Sequence, residues 1–405
     1  MKILVSIVLM NIFILSIGQA KELFVGESLK IQKDDLYFSV PVAWMNKNKE
    51  IQLSVVKDGF FITHNLEGKQ TQKIAVWDVH NKITILQEQG LAIIKYTQSL
   101  TVIDLNKSEV KYQIKLIQQK DDTIATSCCA KVSNEFKVIK HKGKQLLAVN
   151  YTFQGSTYST LFDLGSGKII HEIILPEEYS HEAATYFKHN GDIFVVLALD
   201  GRTSYRLYTI NLTQEKVVTT RYRDWDEKRF SNKLLFKNKQ PFLAIVVDSG
   251  IALFDPFTLE LAAENFDVAS NGCVGPCLNA LFVLSDNSFI TLAEFNILEA
   301  VSTIINISNG EKEEIPAVLK VFDVNGKKIG WNRSLFWTGK PWDVFITDLQ
   351  SGKLIYKHKG TSMDLGSDNV ISLGGKLYTI EADGEIKVVN GQEVTAYTMI
   401  ISRLL

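Results

Sequence analysis

The residue types best suited to chemistry are few in this chain and sit at spacings that do not assemble a catalytic centre. Four cysteines occur, as Cys128-Cys129 and as Cys273-Val274-Gly275-Pro276-Cys277. Four thiolates would suit tetrahedral zinc, but neither half has the C-x2-C knuckle. The Gly-Pro between Cys273 and Cys277 turns the chain and brings the two sulfurs toward bonding reach, whereas adjacent cysteines bridge each other only with strain. A Cys273–Cys277 disulfide is therefore expected in an oxidising compartment, in preference to two cross-links to the 128/129 pair. Seven histidines stand at positions 64, 80, 141, 171, 181, 189 and 358, and none forms H-E-x-x-H or a close pair. Asp121-Asp122 and Asp224/Asp226 lack the D-x-D-x-D-G calcium loop and read as surface turns. With no G-x-S-x-G elbow, P-loop or Gly-rich nucleotide turn, no catalytic residue and no metal ligand is assigned.

Binding chemistry is better represented. Arg221-Tyr222-Arg223-Asp224-Trp225-Asp226-Glu227-Lys228-Arg229-Phe230 combines Arg with aromatic residues, the types enriched where proteins meet. Arg221, Arg223 and Arg229, with Trp225 as anchor, are the candidate partner-binding residues. Segments 118–134 and 296–316 are also longer than a hairpin needs, and recognition is often built on such excursions. Lys137, Lys140, His141, Lys142 and Lys144 surround Gly143 between two apolar runs, which predicts a hairpin whose charged tip guards a sheet edge. Asn106, Asn150, Asn211, Asn306 and Asn332 begin Asn-x-Ser/Thr triplets, glycosylation acceptors if the organism modifies them in its secretory pathway.

These residues belong to a chain of 405, 46% hydrophobic and 22% charged, with 44 Lys and Arg against 45 Asp and Glu. That balance is globular and leaves no global charge excess to steer the chain to a nucleic acid or an anionic membrane. Lys2, the apolar run 3–17 and the small residues Gly18-Gln19-Ala20 read as a secretory signal peptide over 1–20. The run is shorter than the roughly 20 residues a membrane span needs, and no later run approaches that length. Residues 21–405 are expected to form one domain that is secreted, periplasmic or in the endoplasmic-reticulum lumen, with no membrane span after cleavage.

Short β-branched and aromatic runs separated by turn residues fill that region, an all-β pattern. A unit recurs in which an apolar strand ends in Asp or Asn before a polar or Gly turn. It ends at Asp78, Asp104, Asp163, Asn211, Asp255, Asp323 and Asp348, with a degenerate copy at Glu381. The intervals 163 to 211 and 211 to 255, 48 and 44 residues, match the period of a four-stranded propeller blade. One blade cannot bury both faces of its sheet, so blades stack around an axis until the ring closes. Dividing the 385 residues after the signal by seven gives 55 per blade, and by eight gives 48. A single ring of seven blades is expected, with eight as the alternative. The strand-like segments 36–40 and 395–401, near the two ends, are expected in the same or neighbouring blades.

Asp163-Leu164-Gly165-Ser166-Gly167-Lys168 and Asp348-Leu349-Gln350-Ser351-Gly352-Lys353 resemble the D-x-x-[ST]-G-K turn of pyrroloquinoline-quinone-like and YVTN-type β-propellers, a group overlapping the WD-repeat superfamily. Asp323-Val324-Asn325-Gly326-Lys327, with Trp331 four residues on, is a shortened version. In quinone-dependent members of that group an aromatic residue, usually Trp, follows the Gly-Lys and packs between blades; here His171 and Tyr356 stand at those positions. Such enzymes also need a calcium site and a carboxylate base in the central channel, for which no matching residues are found. Cys128-Cys129 is a point of likeness, because some quinone alcohol dehydrogenases hold a vicinal disulfide beside the cofactor. No cofactor is expected, a quinone or calcium being the lesser alternative. The function expected is a protein-binding or scaffold module that uses loops on one ring face. The alternatives are a quinone- or metal-dependent oxidoreductase outside the cytosol and the lumenal propeller part of a membrane protein complex.

Overall fold

In a computed structural model of the chain, four-stranded antiparallel sheets follow one another around an axis. The structure describes residues 22–403 except 33–41, 58, 66–68, 77–82, 97–98, 117–130, 133–135, 177–183, 202–203, 224–231, 238–239, 248–249, 268–277, 286–287, 294–300, 317, 319, 334–342, 360–369 and 390–391. Among the described residues helix is confined to one short 3-10 turn, Gln87–Gln89, and no helix is long and apolar enough to cross a membrane.

Among the described residues there are eight sheets, the alternative count rather than the seven blades expected first. Seven run consecutively along the chain and are numbered blades 1 to 7, with first strands Val42–Met45, Ile83–Leu86, Lys137–His141, Ala184–His189, Asn232–Lys237, Leu278–Ser285 and Lys320–Val324. In blade 3 the first position is shared with the two-residue strand Lys131–Val132. Blade 8 comprises Val370–Leu373, Lys376–Val389 and Gln392–Arg403, and takes its outermost strand, Glu22–Gln32, from the other end of the chain. Residues 395–401 thus close the ring as expected, but their N-terminal partner is Glu22–Gln32; segment 36–40 lies outside the described residues.

The reason for stacking is visible in blade 3. Leu147, Val149 and Tyr151 pack toward blade 2, while the alternate residues Leu146 and Ala148 pack toward blade 4. A strand buried on both faces reads as a continuous apolar run, Leu-Leu-Ala-Val, rather than as an alternation. Each such Leu or Val contributes about 1.5–3 kcal/mol by leaving water. Every junction from blades 1 and 2 to blades 7 and 8 has a core of this kind, Trp331 and Leu377 filling the last. Blades 8 and 1 meet through their first strands, where the Met45 side chain lies against Gly374.

Candidate functional site

The Asp and Asn turns explain how the ring is held and which of its faces is presented. The turn between the third and fourth strands is capped by Asn65, Asp104, Asp163, Asn211, Asp255, Asn306 and Asp348, one in each of blades 1 to 7. In each, the side-chain oxygen accepts a backbone N–H two to four residues on, the geometry for which Asx residues are chosen. At Asp163 the acceptors serve Ser166, whose N and Oγ lie 2.9 and 3.1 Å away. Burial there opposes ionisation, yet the hydrogen bonds from Ser166 and Gly165 and the charge of Lys144 keep the carboxyl below its ordinary value.

Among the described residues, the residue after a cap fastens neighbouring blades. Leu105, Leu164, Leu212 and Leu349 turn inward and are at most 4% exposed. Their N–H groups bond within their own blade, to Gly90, Gln145, Ile193 and Lys328. The carbonyls of Leu105, Leu164 and Pro256, in turn, accept from Gln72, Tyr112 and Thr209 of the preceding blade. The Tyr112 ring lies over Gly167, where a Cβ would approach it to 2.6 Å, and its hydroxyl reaches Leu164 at 2.6 Å. Burial, aided by Asp163, pushes the Tyr112 phenol up to about 12. The docking aromatic is thus Tyr112 of the preceding blade, whereas His171 of blade 3 contacts Glu215 in the turn of blade 4 at 3.2 Å.

These turns and the hairpins joining first and second strands lie on one ring face, because antiparallel order alternates the connections between the two faces. On that side the first strands, which are the inner edges of the sheets, enclose a cavity of about 480 Å³ bordered by blades 2, 3 and 4. Its apolar lining includes Leu86, Val138 and Phe187; its charged groups among the described residues are Lys137, Lys140 and Lys188 against one carboxylate, Glu88. Lys137 Nζ donates to the Tyr186 carbonyl at 3.5 Å. Among the described residues no carboxylate comes within ion-pair distance of Lys140 or Lys188. His141, beside Lys140, is lowered by burial and then by Lys142, Lys188 and His171, with Asp192 opposing. The innermost strands as a set carry Lys131, Lys137, Lys140, Lys188, Lys233, Lys237 and Lys320 against Asp323 alone, in a chain whose net charge is −1.

A sequence signal for this site exists. Lys140-His141-Lys142-Gly143 and Lys188-His189-Asn190-Gly191 are 48 residues apart, the same interval as Asp163 to Asn211. Each ends a first strand at a tight turn in which both central residues have positive φ, 45° and 76° for Lys142-Gly143 and 48° and 84° for Asn190-Gly191. The hairpin expected around Gly143 is present, but the edge its lysines guard is the one facing the axis.

The other expected site residues are dispersed. Arg221 lies in strand Lys216–Arg223, where it donates to the Leu259 carbonyl at 3.1 Å and lies 3.9 Å from Glu260, so it ties blade 4 to blade 5. Arg223 ends the same strand opposite Tyr205. Trp225, Arg229, Cys128, Cys129, Cys273 and Cys277 lie outside the described residues. Segment 296–316 is not one long loop, since Val301–Asn306 and Lys312–Pro316 are strands of blade 6. Asp323 caps the turn between the first two strands of blade 7, not an outer turn. Asn150 is fully buried and Asn211 is 4% exposed and bonded to Asp192, so the folded state has no room for a glycan on either. Asn106 and Asn306 stand in turns of the same face, and Asn332 pairs with Phe345 across blade 7.

No protein-family model and no curated protein sequence matches the chain. Its likeness to known proteins is structural. The WD40 domain of SCAP from fission yeast aligns with a TM-score of 0.50 over 95% of this chain and 99% of that one, at 10% identity. A eukaryotic initiation factor aligns with a TM-score of 0.49 over 88% and 89%, at 11% identity. The AfRom2 CNH domain aligns with a TM-score of 0.38 over 91% and 97%, at 13% identity. The first of these, with the eight stacked sheets, places the chain among β-propellers of WD40-like architecture, a statement about fold alone.

Proposed function

We propose that this protein is a binding propeller, secreted or lumenal, that engages a macromolecular partner through the ring face on which the Asx turns and the axial cavity open. The observation that carries this is the concentration of lysine on the innermost strands of a chain that is otherwise electrically balanced. Fixed charges of one sign converging on a concave, partly apolar surface select a partner and speed its approach. Export is supported by the pattern of residues 1–20, whose removal leaves the closing strand Glu22–Gln32 whole. An oxidoreductase built on calcium and a quinone is favoured less, because Lys137, Lys140 and Lys188 would repel a divalent cation from the cavity they line. The test is capture of the partner from secreted or lumenal extract by wild type and by the double variant Lys140→Glu/Lys188→Glu. Both side chains are exposed, so the variant should melt within about 2 °C of wild type while capture falls about tenfold or more. Undiminished capture overturns this face as the binding surface. A quinone absorption band or stoichiometric calcium in the purified protein would replace the binding role with an enzymatic one.

A further inference from the structure

We infer that the cavity bordered by blades 2, 3 and 4 is an anion site for a compact group bearing at least two negative charges. The inference deepens the binding role by naming the chemistry recognised.

Lys140 and Lys188 occupy equivalent positions in consecutive blades, each one residue before the end of its first strand, and both line this cavity. Lys137 adds a third ammonium group from the same strand as Lys140, and among the described residues Glu88 is the only carboxylate in the lining. The K-H-x-G ending is absent from the described first strands of the other blades, so the charge forms an arc rather than an even ring. A volume of about 480 Å³ suits a small ligand or the end of a side-chain cluster. Leu86, Val138 and Phe187 supply an apolar wall that lowers the local dielectric and strengthens each charge contact. The groups acting on His141 report the same field from outside the cavity, three of the four being basic. Lysine is a point charge with no fork geometry, so carboxylate and phosphate share the chemistry and charge density decides between ligands.

His141 provides a readout independent of any partner. A bound anion offsets the repulsion from Lys142, Lys188 and His171, so it must raise the imidazole pKa. The full-length protein would be titrated by NMR with citrate, with pyrophosphate and with hexaglutamate, the His141 signal being identified by His141→Gln. Saturable binding with an upward His141 shift is expected, weakening about tenfold or more in Lys140→Glu/Lys188→Glu and weakening as salt rises. Tighter binding of hexaglutamate than of citrate assigns the negative groups to an acidic segment of a partner; the reverse assigns them to a free small anion. Absence of saturable binding by all three probes, or binding unaffected by the variant, overturns the site. Loss of anion binding with partner capture intact would leave this site standing and overturn this face as the partner-binding surface. Loss of capture without any anion binding would do the opposite.

Discussion

At the residue scale, two side chains carry unusual energetic weight. Asn150 and Ser159 face each other across blade 3, both are fully buried, and their side-chain polar atoms have no partner among the described residues. A buried polar group left unsatisfied costs about 1–3 kcal/mol. The double variant Asn150→Val/Ser159→Ala should therefore raise stability by about 1 kcal/mol or more in urea unfolding. A loss instead would show that the pair is bridged by internal water. Tyr112 is the converse case, a half-buried phenol whose hydroxyl donates to a carbonyl of the next blade. Tyr112→Phe should lower stability by about 0.5–1.5 kcal/mol, read from the same unfolding curves. Asn150 was legible only as a sequon, because the triplet carries no mark of burial; Tyr112 was not legible at all, since its role depends on a turn 52 residues away.

At the scale of elements, the D-x-x-S-G-K hairpin was readable because its chemistry is local. Asp163 supplies the acceptor and Gly167, at φ 72°, the left-handed position. Gly167→Ala strains that φ and drives a methyl into Tyr112, so a loss of at least about 1 kcal/mol is expected in thermal unfolding. The Asp163 carboxyl is held below its ordinary value, so its stabilisation is fully present above the unfolded value, about 3.9, and is lost as pH falls through the lower folded value. The melting-temperature advantage of wild type over Asp163→Asn should accordingly be flat near neutrality and shrink below about pH 4. An advantage that persists unchanged to pH 2 would show that the charge has no part in the turn. What local chemistry left ambiguous was which hairpin a turn belongs to. Asp323 carries the Asp-to-Gly-Lys pattern of an outer turn shortened by one residue yet caps an inner one, and Asn65 and Asn306 cap outer turns without the Gly-Lys ending in its usual register. The lysines of the axial site were read as edge protection because only the sheet order reveals that their edge faces the axis.

For the whole molecule, the count of turns and the count of blades differ for a physical reason. A blade closed by strands from both ends has no chain-continuous link to its outer strand, so eight sheets show only seven Asx turns there. Period arithmetic alone could not separate those cases. Closure also predicts where the ring is weakest. Deleting residues 395–405 removes most of the strand joining Lys376–Val389 to Glu22–Gln32 and should expose an apolar edge, giving aggregation and a lower melting temperature. A truncated chain that melts with wild type would contradict the closing arrangement.

The central claim is that function lies at the axial face, and lysine-directed cross-linking of the captured partner, mapped by mass spectrometry, tests it most directly. Cross-links concentrated at Lys137, Lys140 and Lys188, and abolished by prior saturation with hexaglutamate, are the predicted result. Cross-links confined to outer-strand lysines such as Lys353, Lys357 and Lys359, and indifferent to hexaglutamate, would contradict it.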